Sequence, residues 1–203
     1  MRESGRSPSE LLQSARAGRP DALDQLLEHY RNYLKILART HIGPTLQSKA
    51  DPSDLVQDTL IEAQRDFEQF RGSTEAEFVA WLRTMMANNG AKFVRHYKGV
   101  QARDVRREQR IQLALDQSTQ MMARLALTAS SPSERAAQAE EAVHLADALA
   151  QLPSHYRDAI VLYHLQGRTI RDVAKEMDRT EDSIKKLLAR ALISLQNALK
   201  NSA

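Results

Sequence analysis

Between Met177 and Thr180 the sequence leaves only Asp178 and Arg179 to turn the chain from one helical pattern into the next. Upstream, Thr169 opens a short helix with Ile170, Val173, Ala174 and Met177 inward. Downstream, Thr180 caps a longer helix with Ile184, Leu187, Leu188, Ala191, Leu192 and Leu195 inward. Two helices on so short a turn form a helix-turn-helix. Their crossing needs a small residue, Ala174, and the turn needs one that tolerates unusual dihedrals, Asp178, where Gly is commoner. In such a unit the second helix enters the major groove and its N-terminal side chains reach base edges. Here those are Arg179, Thr180, Glu181, Asp182, Ser183, Lys185 and Lys186, with Arg168, Arg171 and Arg190 set for phosphates. The competing reading is a plain helical hairpin with a solvated charged face.

The rest of the chain carries the same helical period. Among 203 residues there are 7 Gly and 6 Pro, and aromatics make up 5%. That is too few turn-formers for a many-stranded sandwich or barrel. A hydrophobic share of 42% beside 27% charge sustains cores rather than wholesale disorder. With no Cys, disulfides, thiolate metal sites and thiol catalysis are excluded. No apolar run is long enough for a signal peptide or a membrane span, so the expectation is a soluble cytoplasmic chain without membrane contact. The fold class predicted is all-α: two helical domains joined by a partly helical linker.

Residues Glu10 to Ala38 show helical spacing that Gly18-Arg19-Pro20-Asp21 divides in two, with Pro20 and Asp21 opening the second helix. Asp51-Pro52-Ser53-Asp54 is a strong helix start, and the pattern runs with Leu55, Val56, Thr59, Leu60, Ala63, Phe67 and Phe70 inward until Arg71-Gly72 stops it. Ser73 or Thr74 caps a further helix bearing Phe78, Trp81, Leu82, Met85 and Met86. Trp81 at helical spacing with Phe78 and Leu82 reads as core, with base stacking as the alternative. From about Gly99 to Gln138 the chain lacks aromatics and reads as a linker, with a helical piece around Ile111–Leu127. Ser133 then caps a second helical block, restarting at Pro153 and running to Gly167. The domains expected are residues 1–100, a linker 101–138, and 139–203.

Net charge is only +3, so its distribution has to identify partners. Asp51 to Asp66 carries Asp51, Asp54, Asp58, Glu62 and Asp66 against Arg65. Lys92 to Arg110 carries Lys92, Arg95, Lys98, Arg103, Arg106, Arg107 and Arg110 against Asp104 and Glu108. An acidic helix face and a basic stretch in one chain point to two different macromolecular partners.

Leu152-Pro153-Ser154-His155-Tyr156-Arg157, Gly167 to Met177 and Thr180 to Lys185 together resemble region four of extracytoplasmic-function sigma factors. Asp54-Leu55-Val56-Gln57-Asp58-Thr59, Phe70-Arg71-Gly72, and Phe78 with Trp81-Leu82 and Asn88 resemble region two of the same family. The likeness covers roughly residues 10–98 and 139–200, in the family's order. It departs at Thr84, Lys92 and Lys186-Leu187, where the family often carries Arg, Asp and Ser-Arg. The resemblance implies a helical region-2 bundle and a region-4 helix-turn-helix that bind core RNA polymerase at its clamp coiled coil and flap. Asp54, Leu55, Gln57 and Asp58 would dock on the clamp. The loop Arg71–Glu77, with Arg71, Gly72 and Ser73, would hold a base flipped from the minus-ten element. Arg83, Asn88, Lys92, Arg95 and His96 would line the melted strand, and the helix-turn-helix residues above would read duplex minus-thirty-five DNA. Unpaired-base capture of this kind needs a pocket beside a basic groove. An anti-sigma protein is a further implied partner, with a monomer when free. The linker at Arg103–Arg110 is expected either to thread the polymerase cleft or to serve as an exposed tether.

Catalysis finds no support in the sequence. The lone Glu-x-x-His, Glu141–His144, lacks the second copy a di-iron bundle needs, and no phosphate loop or nucleophile elbow occurs. No enzyme, no metal and no cofactor are expected. The rival function is a stand-alone helix-turn-helix regulator that binds duplex operator DNA as a dimer.

Overall fold

In the computed structural model, which describes residues 6–41, 51–98, 117–122 and 135–202, the described elements are helical and include no strand. The chain divides into two compact units, Met1–Leu115 and Asp116–Ala203.

The first unit begins with α1 (Pro8–Arg16), two residues ahead of the apolar pattern, because Ser7 and Glu10 form a reciprocal capping box. The Ser7 amide donates to Glu10 Oε2 at 2.9 Å and the Glu10 amide to Ser7 Oγ at 3.3 Å. After the break, α2 (Ala22–His41) starts at Asp21, whose φ is +63°. Helix α3 (Pro52–Asp66) has Asp51 as N-cap, its Oδ1 accepting from the Ser53 amide at 2.8 Å, with Pro52 in the first turn. It ends at Asp66, short of the expected Arg71, because residues Phe67–Gln69 tighten into a 3₁₀ turn. Helix α4 (Glu75–Lys98) follows, capped by Thr74. Helix α2 packs on α1, α3 and α4, and α4 also meets α1 and α3. Their shared core holds Leu12, Leu26, Tyr30, Leu34, Leu37, Phe78, Leu82 and Met86, all essentially removed from water.

Phe67, Phe70, Phe78 and Trp81 form one aromatic cluster, with Phe70 and Trp81 ring centroids 5.2 Å apart and Phe78 and Trp81 5.7 Å apart. Trp81 is half-buried within it. The cluster supports the back of the 70–74 loop.

Residues 117–122 are helical, with Ser118, Thr119 and Met122 buried. This part of the expected linker is therefore packed, and residues 135–138 of it form the start of the next helix, whereas Arg103–Arg110 and Ser133 lie outside the described residues. The second unit contains α5 (Arg135–Gln151), α6 (Ser154–Ile160), a π turn (Val161–Leu165), α7 (Ile170–Glu176) and α8 (Glu181–Ser202). Helix α8 packs on α5, α6 and α7. The π turn breaks what the sequence presents as one helix up to Gly167. It closes where the Arg168 amide reaches back to the Leu162 carbonyl at 3.1 Å, over Gly167 at φ +66°.

Candidate functional site

On α3 the buried residues Leu55, Val56, Thr59, Leu60 and Ala63 leave Asp54, Gln57, Asp58 and Ile61 exposed on the other side. Their spacing of three, four and seven residues makes one stripe. Ile61 is 55% exposed and was not singled out by the sequence pattern; its place seven residues after Asp54 is the signal that finds it. Leu55, grouped with this face from the sequence, is only 3% exposed. It belongs to the core that fixes the helix, so the exposed stripe contains Ile61 and not Leu55.

The loop between the 3₁₀ turn and α4 is held from several sides. A Cβ on Gly72 would lie 2.7 Å from Phe70 Cε2 and 2.9 Å from Glu77 Cβ, so the backbone passes directly over the Phe70 ring. The Glu77 carboxylate accepts from the Ser73 amide at 2.8 Å, the Thr74 amide at 3.0 Å and Thr74 Oγ1 at 2.9 Å. These donors hold the Glu77 carboxyl below its ordinary value, the Ser73 backbone bond most of all. Tyr30 Oη donates to Glu75 Oε1 at 2.8 Å, anchoring the start of α4 to α2. Arg71 and Ser73 are exposed and Gly72 is half-covered.

Further along α4, Asn88 and Lys92 are exposed, and Thr84, Asn88, Lys92 and Arg95 fall on one face by spacing. Asn88 lies about 20 Å along the axis from Glu75, at 1.5 Å per residue. Lys92 Nζ donates to Asn89 Oδ1 at 3.1 Å and stands 3.6 Å from Glu62 Oε1, which ties it to α3. Arg83 is half-buried and sits about 180° around the helix from Lys92, so it does not join that face. The side chains of Arg95 and His96 lie outside the described residues.

In the second unit both helices of the helix-turn-helix are capped by threonine. Thr169 Oγ1 accepts from the Asp172 amide at 3.2 Å, and Thr180 Oγ1 from the Ser183 amide at 3.2 Å. Thr169 Oγ1 also donates to Asp172 Oδ2 at 2.6 Å, which holds that carboxyl below its ordinary value. Asp178 has φ +51°, the left-handed conformation that ends α7. The core between the helices is Ala159, Val173, Ala174, Ile184, Leu187 and Leu188.

This packing leaves Arg171, Arg179, Thr180, Glu181, Asp182, Lys185, Lys186 and Arg190 exposed, with Ser183 half-covered. Lys185 Nζ lies 3.3 Å from Asp182 Oδ1. Arg168 differs from the rest: its side chain is 19% exposed and its Nη1 pairs with Glu176 Oε2 at 3.1 Å. That pair ties the approach to α7 to the helix's own end. The exposed cations Arg171, Arg179, Lys186 and Arg190 can meet a polyanion, while Glu181 and Asp182 suit the positive end of α8.

Residues 26–99 match the family model described as Sigma-70 region 2, and residues 143–195 match Sigma-70, region 4. The chain is 28% identical over 194 residues to the ECF RNA polymerase sigma factor SigM of Mycobacterium tuberculosis, covering 96% of this chain and 85% of that protein. It is 25% identical over 190 residues to the ECF RNA polymerase sigma-E factor of Haemophilus influenzae, covering 94% of each. Among solved structures, CnrH in complex with the cytosolic domain of CnrY aligns with 98% of this chain and 100% of that chain, at 22% identity and a TM-score of 0.34.

Proposed function

Because the chain belongs to the sigma-70 family of RNA polymerase sigma factors, in its extracytoplasmic-function group, we propose residue-level roles for each stage of promoter recognition. The protein is a sigma factor that directs transcription initiation, with core RNA polymerase and promoter DNA as its partners. Asp54, Gln57 and Asp58, with Ile61 among them, dock on the clamp coiled coil of the polymerase. The loop from Arg71 to Glu77 holds a base flipped out of the minus-ten element, and Asn88, Lys92 and Arg95 track the melted strand. Helix α8 enters the major groove of the minus-thirty-five element, where Arg179, Lys185 and Lys186 face bases and Arg171 and Arg190 face phosphates.

The observation that carries this reading is the exposed Asp54–Gln57–Asp58–Ile61 stripe in the same chain as a helix-turn-helix. A regulator that binds duplex DNA alone has no use for the first. The sigma factor supplies binding energy for strand opening and the polymerase performs the chemistry. Among the described residues no helix is long and apolar enough to cross a membrane. A cytoplasmic monomer that an anti-sigma protein holds silent completes the proposal, and its mass on gel filtration tests that part.

The deciding experiment is transcription of fragmented genomic DNA by core polymerase with and without the protein, mapping RNA starts. New starts that share two spaced upstream motifs are expected. Duplex binding without any protein-dependent start would favour the stand-alone regulator.

A further inference from the structure

We propose that Arg16, at the end of α1, is a positioning residue for minus-ten base capture: it locks the Gly72–Ser73 peptide in the orientation the loop needs. The inference rests on the capture role given above to the Arg71–Glu77 loop. Arg16 Nη1 donates to the Gly72 carbonyl oxygen at 2.7 Å, across 56 residues of sequence. The amide on the other edge of that same peptide plane, Ser73 N–H, donates to Glu77 Oε2 at 2.8 Å. One rigid planar unit is therefore gripped by a cation at its carbonyl and an anion at its N–H, each matched to that end of the peptide dipole.

The grip is needed because of what Gly72 is. A residue without a Cβ lets the adjoining peptide rotate with little steric resistance. No larger residue can stand in, since a Cβ would run into the Phe70 ring. Close packing over the aromatic cluster thus requires glycine, and glycine leaves the peptide free unless both its polar ends are held. Glu77 supplies one hold locally, as part of the cap of α4. The other comes from α1, whose Leu11 and Leu12 are buried and which packs on both α2 and α4. Arg16 is the last residue of that anchored helix, so its reach to Gly72 starts from fixed backbone. Rotation of the peptide would take Ser73 N–H off Glu77 and turn the exposed Ser73 side chain away from its present direction. The first helix thereby takes part in promoter specificity without touching DNA.

The test uses holoenzyme assembled from core polymerase and the full chain, as wild type, R16A and R16K. Its probes are a non-template strand carrying the minus-ten sequence found by start mapping and the same strand with an abasic site at the captured position. Wild type is expected to prefer the intact strand. In R16A that preference falls about fivefold to tenfold, whereas affinity for the abasic strand and for core polymerase is unchanged. R16K, which keeps a cationic donor, restores most of the preference. An equal loss on both strands would overturn the proposal in favour of a direct phosphate contact, and an R16A preference equal to wild type would overturn it outright. Absence of any base preference in the wild type, unaltered by R71A or S73A, would instead overturn the capture reading of the loop, and this inference with it.

Discussion

The Arg179 amide donates to the Ala174 carbonyl at 2.9 Å and so closes α7 over Asp178, which takes φ +51°. With the weaker Asp178 amide contact to the Lys175 carbonyl at 3.5 Å, this is a Schellman ending built on an aspartate. The turn sets the angle at which α8 leaves α7, and with it the presentation of Arg179, Lys185 and Lys186. A left-handed L-residue costs about 1–2 kcal/mol that glycine avoids. Asp178→Gly is therefore expected to stabilise the second unit by about 1 kcal/mol, and Asp178→Val to destabilise it by at least as much. Urea denaturation followed by circular dichroism measures both.

Ile61 gives a second prediction. Its side chain is already 55% exposed, so Ile61→Ala removes little packing from the folded chain and leaves the unfolding temperature unchanged. Burial of an isoleucine at an interface contributes about 1.5–3 kcal/mol, so the same change should weaken core polymerase binding by about tenfold or more. Leu55→Ala should do the reverse, lowering stability first, because Leu55 fills the core. Competition binding to core polymerase, paired with thermal melts, separates the two.

Much of the fold is legible because its signals are local. Asp51-Pro52, Thr169, Thr180 and Asp178 act through their own backbone neighbours, and each does in the structure what its chemistry dictates. The Ser7–Glu10 capping box was equally readable and extends α1 beyond the apolar pattern. Less legible were features in which tertiary packing outweighs period. Phe67 and Phe70 continue a helical spacing, yet edge-on and tilted packing against Phe78 and Trp81 goes with a 3₁₀ turn and loop there. The π turn at Val161–Leu165 adds a residue per turn that no periodic pattern announces. At the candidate sites, residue type indicated the exposed cations of α8, but not which charges are already paired. Arg168 looks like a phosphate contact in sequence and is held by Glu176, eight residues on. The Arg16–Gly72 contact joins residues 56 apart and leaves no mark in either local sequence.

Acid should loosen the first unit through its loop. Glu77 is held below its ordinary value of 4.5 by the Ser73 and Thr74 donors, and Asp51 below 3.8 by the Ser53 amide. A carboxyl lowered in the folded state binds protons more readily once unfolded. Its stabilisation is complete above the ordinary value and is lost as pH falls through the lowered one. Stability should therefore decline as pH drops below about 4.5, and Glu77→Gln should flatten the upper part of that decline. Unfolding midpoints from pH 7 down to pH 3, for wild type and this variant, give the comparison.

Charge reversal should divide the two partnerships. Lys186 is exposed on α8, one turn past Asp182 and one turn before Arg190, so Lys186→Glu places an anion where duplex phosphates or bases approach. Holoenzyme carrying it should bind promoter duplex at least tenfold more weakly. If Lys186 meets a phosphate, the dependence on salt should also lose about one counterion. Its affinity for core polymerase should fall far less, because the α3 stripe is untouched. Asp58→Lys should behave in the opposite way: the assembled holoenzyme, forced at high concentration, still reads the same duplex, but assembly itself weakens by about tenfold or more. A variant of either kind that impaired both steps equally would mean that one surface serves both partners. The Asp54–Ile61 stripe belongs to α3 of the first unit and the cations to α8 of the second, so each reversal changes the charge of one unit alone.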